Sequence, residues 1–436
     1  MTGRHEPAGR RGIRPAHLLL VLTSLALVLR VAWLGSQPLT GDDLAVGQTA
    51  RNFLASGWPE PTMWNHPRLR DLLVSLSLDT FGNGAWGLKA GSVILGTLSV
   101  PATSLLVLSL TGSLPAATVA GLILASDPLH LDFSRQAIND VYLAFLPVAA
   151  IAALLRYRKQ RSPAWLALAG AFLGLGVATK WSAAVPVGAA GAVVLVEALR
   201  GRVGWRDRTV ELLLFVSGLA LLPVAIYLLT YWPWFGRGHD LGEWLRFQVA
   251  MARETATHTG YPGSKLPGFP GEVVGAWRWF AQPIWYVDYI PPMPGREGIP
   301  AAGLFLSGVA NPIAWMATIP AGAWASWRWL RRDDGVAGWL LLLFLAAWLP
   351  FLAVPRPIWT NSALTVIPFS AGLVGWAAAR LWADPRCRLP AGIVGAAALL
   401  LSVALWPPAV GWSTRPGDGV LRALVSPAAL DPANHR

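Results

Sequence analysis

Two adjacent carboxylates, Asp42 and Asp43, follow the first apolar stretch in the run Leu39-Thr40-Gly41-Asp42-Asp43-Leu44. An acid pair at a water–membrane boundary is a poor lipid anchor. It suits proton transfer, with one acid as base and the other orienting it. Helix capping is the ordinary alternative: Asp42 closes the start of a helix near Leu44, which leaves the second acid unaccounted for. His66 precedes Pro67 and Arg68, and Pro is routine in a first helical turn. His66 reads either as orienting a substrate phosphate or the acids, or as a surface histidine. Arg135 and Asp140, in the run Ser134–Asp140, stand at the head of an apolar stretch, as functional groups or as a structural ion pair. Lys180 separates two apolar stretches joined by almost no loop. A lysine at the bilayer centre costs about 2.5–3.5 kcal/mol, so its ammonium must reach the interface or meet an anion such as a lipid phosphate. Arg356 is a second phosphate ligand or an interfacial anchor. Arg30 reads as a snorkelling side chain. Asp127, His130 and Asp132 carry oxygen and nitrogen donors suited to a divalent ion. Their spacing is too irregular to assign one, so a divalent metal is possible but unsupported.

These residues sit in a chain built for a bilayer. Of 436 residues, 54% are hydrophobic and only 13% charged, with a mean hydropathy of +0.47. Apolar stretches run at 17–34, 88–110, 115–125, 141–155, 163–178, 181–199, 210–229, 299–325, 336–352, 364–381 and 389–405. A hydrocarbon core of about 30 Å needs spans of this order. The fold class is therefore an all-α polytopic membrane protein of about eleven transmembrane helices, forming one domain over 1–436. The net charge of +12 does not point to nucleic acid, because the basic residues cluster in short linkers. The clusters are Arg10 to Arg14, Arg156 to Arg161, Arg200 to Arg208, Arg328 to Arg332 and Arg380 to Arg388. With eleven spans all of them fall on one side, which the positive-inside rule makes cytoplasmic. The chain is then a multi-pass protein of the cell membrane, its N-terminus inside and its C-terminus outside. The first span reads as a retained anchor rather than a cleaved signal. Cys387 is the only cysteine, so no outer disulfide and no cysteine metal cluster is available.

Two outer loops are long, at 35–87 and 232–298, and long loops in a compact bundle are usually functional. In the first, Val46, Ala50, Phe53 and Leu54 repeat at helical spacing. Leu69, Leu72, Leu73 and Leu76 do the same, with Arg68, Arg70 and Asp71 on the opposite, polar side. Both read as short interfacial helices, with a breaker between them at Gly57-Trp58-Pro59-Glu60-Pro61. The second loop predicts one helix, Leu241–Thr255. No P-loop and no dinucleotide-binding glycine signature is present. Chemistry on the outer face, away from nucleotide sugars, requires a lipid-attached activated group.

Taken together, these motifs resemble the membrane protein O-mannosyltransferases of glycosyltransferase family 39, within the GT-C class. The resemblance rests on Asp42-Asp43, where the family has Asp-Glu, and on His66-Pro67-Arg68, where it has His-Pro-Pro. It extends to Ser134-Arg135 with Asp140, Lys180-Trp181-Ser182, and Trp279 to Tyr286, where Gln282 replaces an Arg. Asn311 to Trp315 and Ile367-Pro368-Phe369 complete it. It implies a GT-C bundle and a glycosyltransferase that moves a sugar, mannose in this family, from a polyprenyl-phosphate carrier to an acceptor hydroxyl, that of a protein Ser or Thr, on the outer face, with inversion.

In that scheme Asp42 is the base, and Asp43 or His66 holds it or the acceptor. Arg135, Lys180 and Arg356 bind the donor phosphate, while His66, Asp140, Gln282 and Tyr286 contact substrate. No cofactor or metal is required. The partners implied are the lipid-linked donor, a secreted or membrane protein or glycan acceptor, and membrane lipids, with no nucleic acid. The same donor chemistry on a lipid or polysaccharide acceptor is the nearest alternative. A lipid-linked sugar flippase or transporter is a different class, disfavoured because the ionisable residues gather at one boundary and no repeat is visible. An inactive scaffold of the same fold is a third.

Overall fold

A computed structural model describes residues 14–36, 39–57, 66–201, 204–257, 276–281, 286–289, 304–307, 309–353, 358 and 360–410. Its helices are α1 (Pro15–Val31), α2 (Gly41–Ser56), α3 (Leu69–Phe81), α4 (Ala85–Thr111), α5 (Leu114–Ser126) and α6 (Pro128–Phe133). Next come α7 (Asp140–Gln160), α8 (Pro163–Val177), α9 (Ala184–Arg200), α10 (Trp205–Val216), α11 (Leu222–Leu229), α12 (Trp232–Phe235) and α13 (Leu241–Thr257). The last are α14 (Pro312–Met316), α15 (Thr318–Arg332), α16 (Gly335–Leu352), α17 (Ile367–Ala383) and α18 (Pro385–Ala409). One antiparallel pair, β1 (Tyr286–Tyr289) and β2 (Leu304–Ser307), aligns Tyr286 with Ser307.

Apart from the one expected to start at 299, each apolar stretch of the sequence is occupied mainly by helix. Six helical segments are long and apolar enough to cross a membrane alone; α1, α5 and α8 are apolar but shorter. The stretch expected to start at 299 differs. Residues 304–307 form β2, and the helix begins only at Pro312, where the Asn311 side chain accepts the N–H groups of Ile313 and Ala314. Hydropathy averaged over a window cannot see such a cap. α10 and α11 are one rod joined by a π-helical turn at Ser217–Leu221. That turn packs on α8: a Cβ on Gly170 would fall 1.7 Å from the Gly218 carbonyl oxygen, so only glycine permits the approach.

The core lies around α7, whose buried face includes Val141, Leu146, Ile151 and Leu154. At 21 residues and 1.5 Å per residue, α7 is about 31 Å long and separates two unlike ends. One end is basic. Arg158 holds Glu197 at 2.6 Å, Arg161 holds Glu211 at 3.3 Å, and Arg328 and Arg380 converge on Asp334 at 3.0 and 3.1 Å. The opposite end carries the described parts of both long loops. There the Asp43 carboxylate accepts the Ala137 N–H at 2.6 Å, and the Leu69 N–H donates to the Ala178 carbonyl at 3.0 Å. These bonds pin the starts of α2 and α3 onto the ends of α7 and α8.

Candidate active site

α2 starts with a reciprocal cap. Thr40 is the N-cap: its hydroxyl accepts the Asp43 N–H at 3.2 Å, and the Asp43 carboxylate accepts the Thr40 N–H at 3.0 Å. The capping acid is thus Asp43, three residues into the motif as this geometry demands, and not Asp42 as the sequence suggested. Asp43 is fully buried and also faces Lys89 Nζ at 3.9 Å. Its oxygens accept the Thr40 and Ala137 N–H groups and face this cation, which fixes the start of α2.

Asp42 takes no part in the cap and keeps part of its surface open. Burial raises its pKa above the ordinary carboxylate range. Arg70 opposes the shift, Asp43 and Asp140 add to it, and Lys180 opposes it. Those four groups come from α3, α2, α7 and the α8–α9 junction, so Asp42 stands where several elements meet. Lys180 Nζ donates to the Asp140 carboxylate at 2.7 Å and to the Ser362 hydroxyl at 3.4 Å. The anion Lys180 had to meet is therefore Asp140, and its side chain remains 14% open, enough to face a ligand.

The triad Arg68, Arg70 and Asp71 was read from spacing as a polar outer face. The structure buries it instead. Arg68 Nη1 donates to Asp71 at 3.0 Å, and Arg70 Nε and Nη2 donate to the other oxygen at 2.9 and 2.8 Å. Arg70 is the cation nearest in effect to Asp42, and sequence reasoning missed it. The available signal was the Arg-Leu-Arg-Asp run itself, directly after His66-Pro67. His66 lies half-buried just before α3.

Arg135 departs most from expectation. It is fully buried. Its Nη1 donates to the Arg30 and Ala32 carbonyls at 2.6 Å each, and its Nη2 donates to the Trp33 and Val410 carbonyls at 2.8 and 3.3 Å. It is a clamp on the open C-terminal carbonyls of α1 and on the end of α18, not a phosphate ligand. Arg30 does not snorkel: it is buried and meets the His130 ring at 2.6 Å and the Ala26 carbonyl at 2.9 Å. Asp127 caps α6 and holds the Asn311 N–H at 3.2 Å and the Trp315 indole at 2.8 Å. Among the described residues no three His, Cys, Asp or Glu side chains converge on a point that would hold a metal. Arg356 and Gln282 lie outside the described residues. Tyr286 is placed by its backbone in β1.

The reassignment of Arg135 has a measurable consequence. Arg135→Gln removes charge-assisted bonds worth about 1.5–3 kcal/mol each. Thermal denaturation in detergent should show a lowered melting temperature, while the specific activity of the folded fraction falls less than about tenfold. A phosphate ligand would give the reverse, a small loss in stability with activity down about a hundredfold or more.

The family described as dolichyl-phosphate-mannose-protein mannosyltransferase matches residues 45–236. The polyprenol-phosphate-mannose–protein mannosyltransferase of Mycobacterium tuberculosis is 26% identical over 80% of this chain and 78% of its own. That of Mycolicibacterium smegmatis is 25% identical over 80% and 79%. Among solved structures, the Saccharomyces cerevisiae Pmt1-Pmt2 complex bound to its sugar donor superposes with a TM-score of 0.66, covering 93% of this chain and 91% of that one at 11% identity. Cupriavidus metallidurans ArnT bound to undecaprenyl phosphate gives 0.58 over 93% and 76%, at 17% identity. The structural likeness carries the fold, and the sequence likeness extends over most of the chain. The chain is thus a membrane glycosyltransferase with the GT-C fold, similar in sequence to the polyprenol-phosphate-mannose–protein mannosyltransferases.

Proposed function

We propose that this protein transfers mannose from a polyprenyl-phosphate carrier to a Ser or Thr hydroxyl of a protein, with inversion at the anomeric carbon. The observation that carries this reading is the convergence of Asp42 with Arg70, Asp140 and Lys180 at the loop-bearing end of the bundle. The acceptor hydroxyl is a poor nucleophile until a base takes its proton. Asp42, its proton affinity raised by burial, takes it as the oxygen bonds to the anomeric carbon. The bond from that carbon to the phosphate oxygen breaks, and its electron pair leaves on the polyprenyl phosphate. Lys180 and Arg70 meet that charge as it develops. Asp43 fixes α2 so that Asp42 faces the sugar. Asp140 holds Lys180, and His66 contacts substrate. Arg356, Gln282 and Tyr286 belong to the same reading as ligands supplied from the later loops.

In this reading about eleven crossings keep the Arg-rich end in the cytoplasm by the positive-inside rule, which supports chemistry on the extracytoplasmic face. That face is where a lipid-linked donor replaces a nucleotide sugar.

The test is transfer of radiolabel from polyprenyl-phosphate-mannose to Ser/Thr peptides by the purified protein, with the product anomer read by NMR. Labelled peptide of inverted configuration is expected. Label appearing only in lipid or polysaccharide would move the acceptor to another class. Lipid movement across liposomes without any transfer would replace the enzyme by a flippase.

A further inference from the structure

Arg68 leaves two donors unsatisfied inside the protein. Its side chain is 1% exposed, Nη1 is taken by Asp71, and Nε and Nη2 have no partner among the described residues. A buried N–H left unmade costs about 1–3 kcal/mol, more on a charged group, so such an edge calls for an occupant. Nε and Nη2 form the side-on fork of a guanidinium, the pair of parallel N–H groups that matches two oxygens of one carboxylate. This protein uses that fork repeatedly. Arg158 sets it on both oxygens of Glu197 at 2.6 and 2.9 Å, while Arg70 and Arg328 close it on a single carboxylate oxygen, of Asp71 at 2.9 and 2.8 Å and of Asp334 at 3.1 and 3.0 Å. Only the Arg68 fork, among these four, has nothing in it.

The surroundings of the fork are rich in buried donors. The guanidinium carbon lies 5.7 Å from the centre of the Phe247 ring on α13, and its charge reaches the Tyr227 and Tyr231 hydroxyls. On the same helix, Gln248 Nε2 and Trp244 Nε1 are buried donors without partners among the described residues. Trp244 packs edge-on to Tyr227 and Tyr231, with centroids 6.0 and 5.9 Å apart. Gln248 Oε1 already accepts the Tyr227 hydroxyl at 2.6 Å, and both Asp71 oxygens are taken. A planar monoanion brings acceptors only.

The fork is also set apart from the reaction centre. Arg70 and Lys180 act on Asp42, whereas Arg68 lies on the far side of Asp71, under the helix contributed by the second long loop. The leaving phosphate belongs with the groups around Asp42. We propose that Arg68, with Gln248 and Trp244, forms a subsite for a carboxylate side chain of the acceptor, so that the enzyme prefers a Ser or Thr flanked by Asp or Glu. This rests on the protein-acceptor reading above. α13 covers the fork as a single helix whose outer face, Leu241, Leu245 and Val249, is 57%, 53% and 50% exposed, so entry of the acceptor requires that helix to move.

The experiment compares paired peptides, identical except for Asp/Glu or Asn/Gln beside the acceptor Ser/Thr, in transfer assays and in direct binding by fluorescence anisotropy. Wild-type protein is expected to favour the acidic peptide by about tenfold in kcat/KM and in affinity. Arg68→Gln and Arg68→Lys should each bring the ratio to about one, since lysine keeps the charge but lacks the fork. Gln248→Leu, which leaves the Arg68–Asp71 pair intact, should reduce it two- to fivefold. Equal use of the two peptides by wild type, or a preference that survives Arg68→Gln in folded protein, overturns the subsite. Loss of polyprenyl-monophosphate binding in Arg68→Gln, with no effect of peptide charge, reassigns the fork to a phosphate and overturns it too. Acid-dependent peptide binding without transfer to any peptide would keep the subsite and remove the transferase reading instead.

Discussion

Replacing Asp42 with Asn should lower kcat by about a thousandfold, the middle of the range for losing a positioned general base, while binding of the donor lipid stays within a few-fold of wild type. Asn keeps the size of the side chain and the Asp43 cap, so the helix start is undisturbed. What disappears is the proton acceptor. The pH profile supplies a second check. Asp42 works as a base only when ionised, and burial raises its pKa. The acid limb of kcat/KM should therefore lie above the ordinary Asp value of about 3.9. Arg70 holds that pKa down, so Arg70→Gln should move the limb to higher pH. Asp140 pushes it up, so Asp140→Asn should move the limb lower. A profile flat from pH 4 to 8 in wild type, or transfer by Asp42→Asn at more than a tenth of the normal rate, would remove Asp42 from the base role.

Lys180→Met should cost about a hundred- to thousandfold in kcat/KM, because one preorganised donor aimed at developing charge is worth about 2.7–4 kcal/mol. The substitution also strands Asp140, whose side chain is only 3% exposed and whose cation lies at 2.7 Å. Breaking a buried pair from one side destabilises by about 3–5 kcal/mol, so the single variant mixes chemistry with folding. The double variant Lys180→Met/Asp140→Asn separates them. With no charge left unpaired, its melting temperature should recover most of the loss, and its turnover should not. Recovery of both in the double variant would mean that Lys180 is structural and that the phosphate is stabilised by other groups.

These expectations show where the sequence was informative. Membrane class, the helical stretches, the amphipathic α13 and the two helices of the first loop follow from hydropathy and from 3.6-residue periodicity, which are local properties of the chain. Asp42 and Lys180 were legible for a related reason: an acid pair or a lone lysine beside apolar stretches is costly unless it meets a partner. The match of residues 45–236 to the mannosyltransferase family agrees with the motifs read there.

Partners distant along the chain were not legible. Periodicity states that Arg68, Arg70 and Asp71 share a side of α3, but not that this side turns inward against α13 and Asp42. It cannot tell which of two adjacent acids makes the cap, because that depends on the extended backbone of Thr40. Nor can it assign Arg135, whose carbonyl partners Arg30, Ala32 and Trp33 lie about a hundred residues earlier. The sequence by itself determined a polytopic helical protein with acids and cations at one boundary. Only packing in three dimensions settles which of those charges are spent on each other and which keep open surface, since a charged side chain's role depends on the hydrogen bonds left to it after packing.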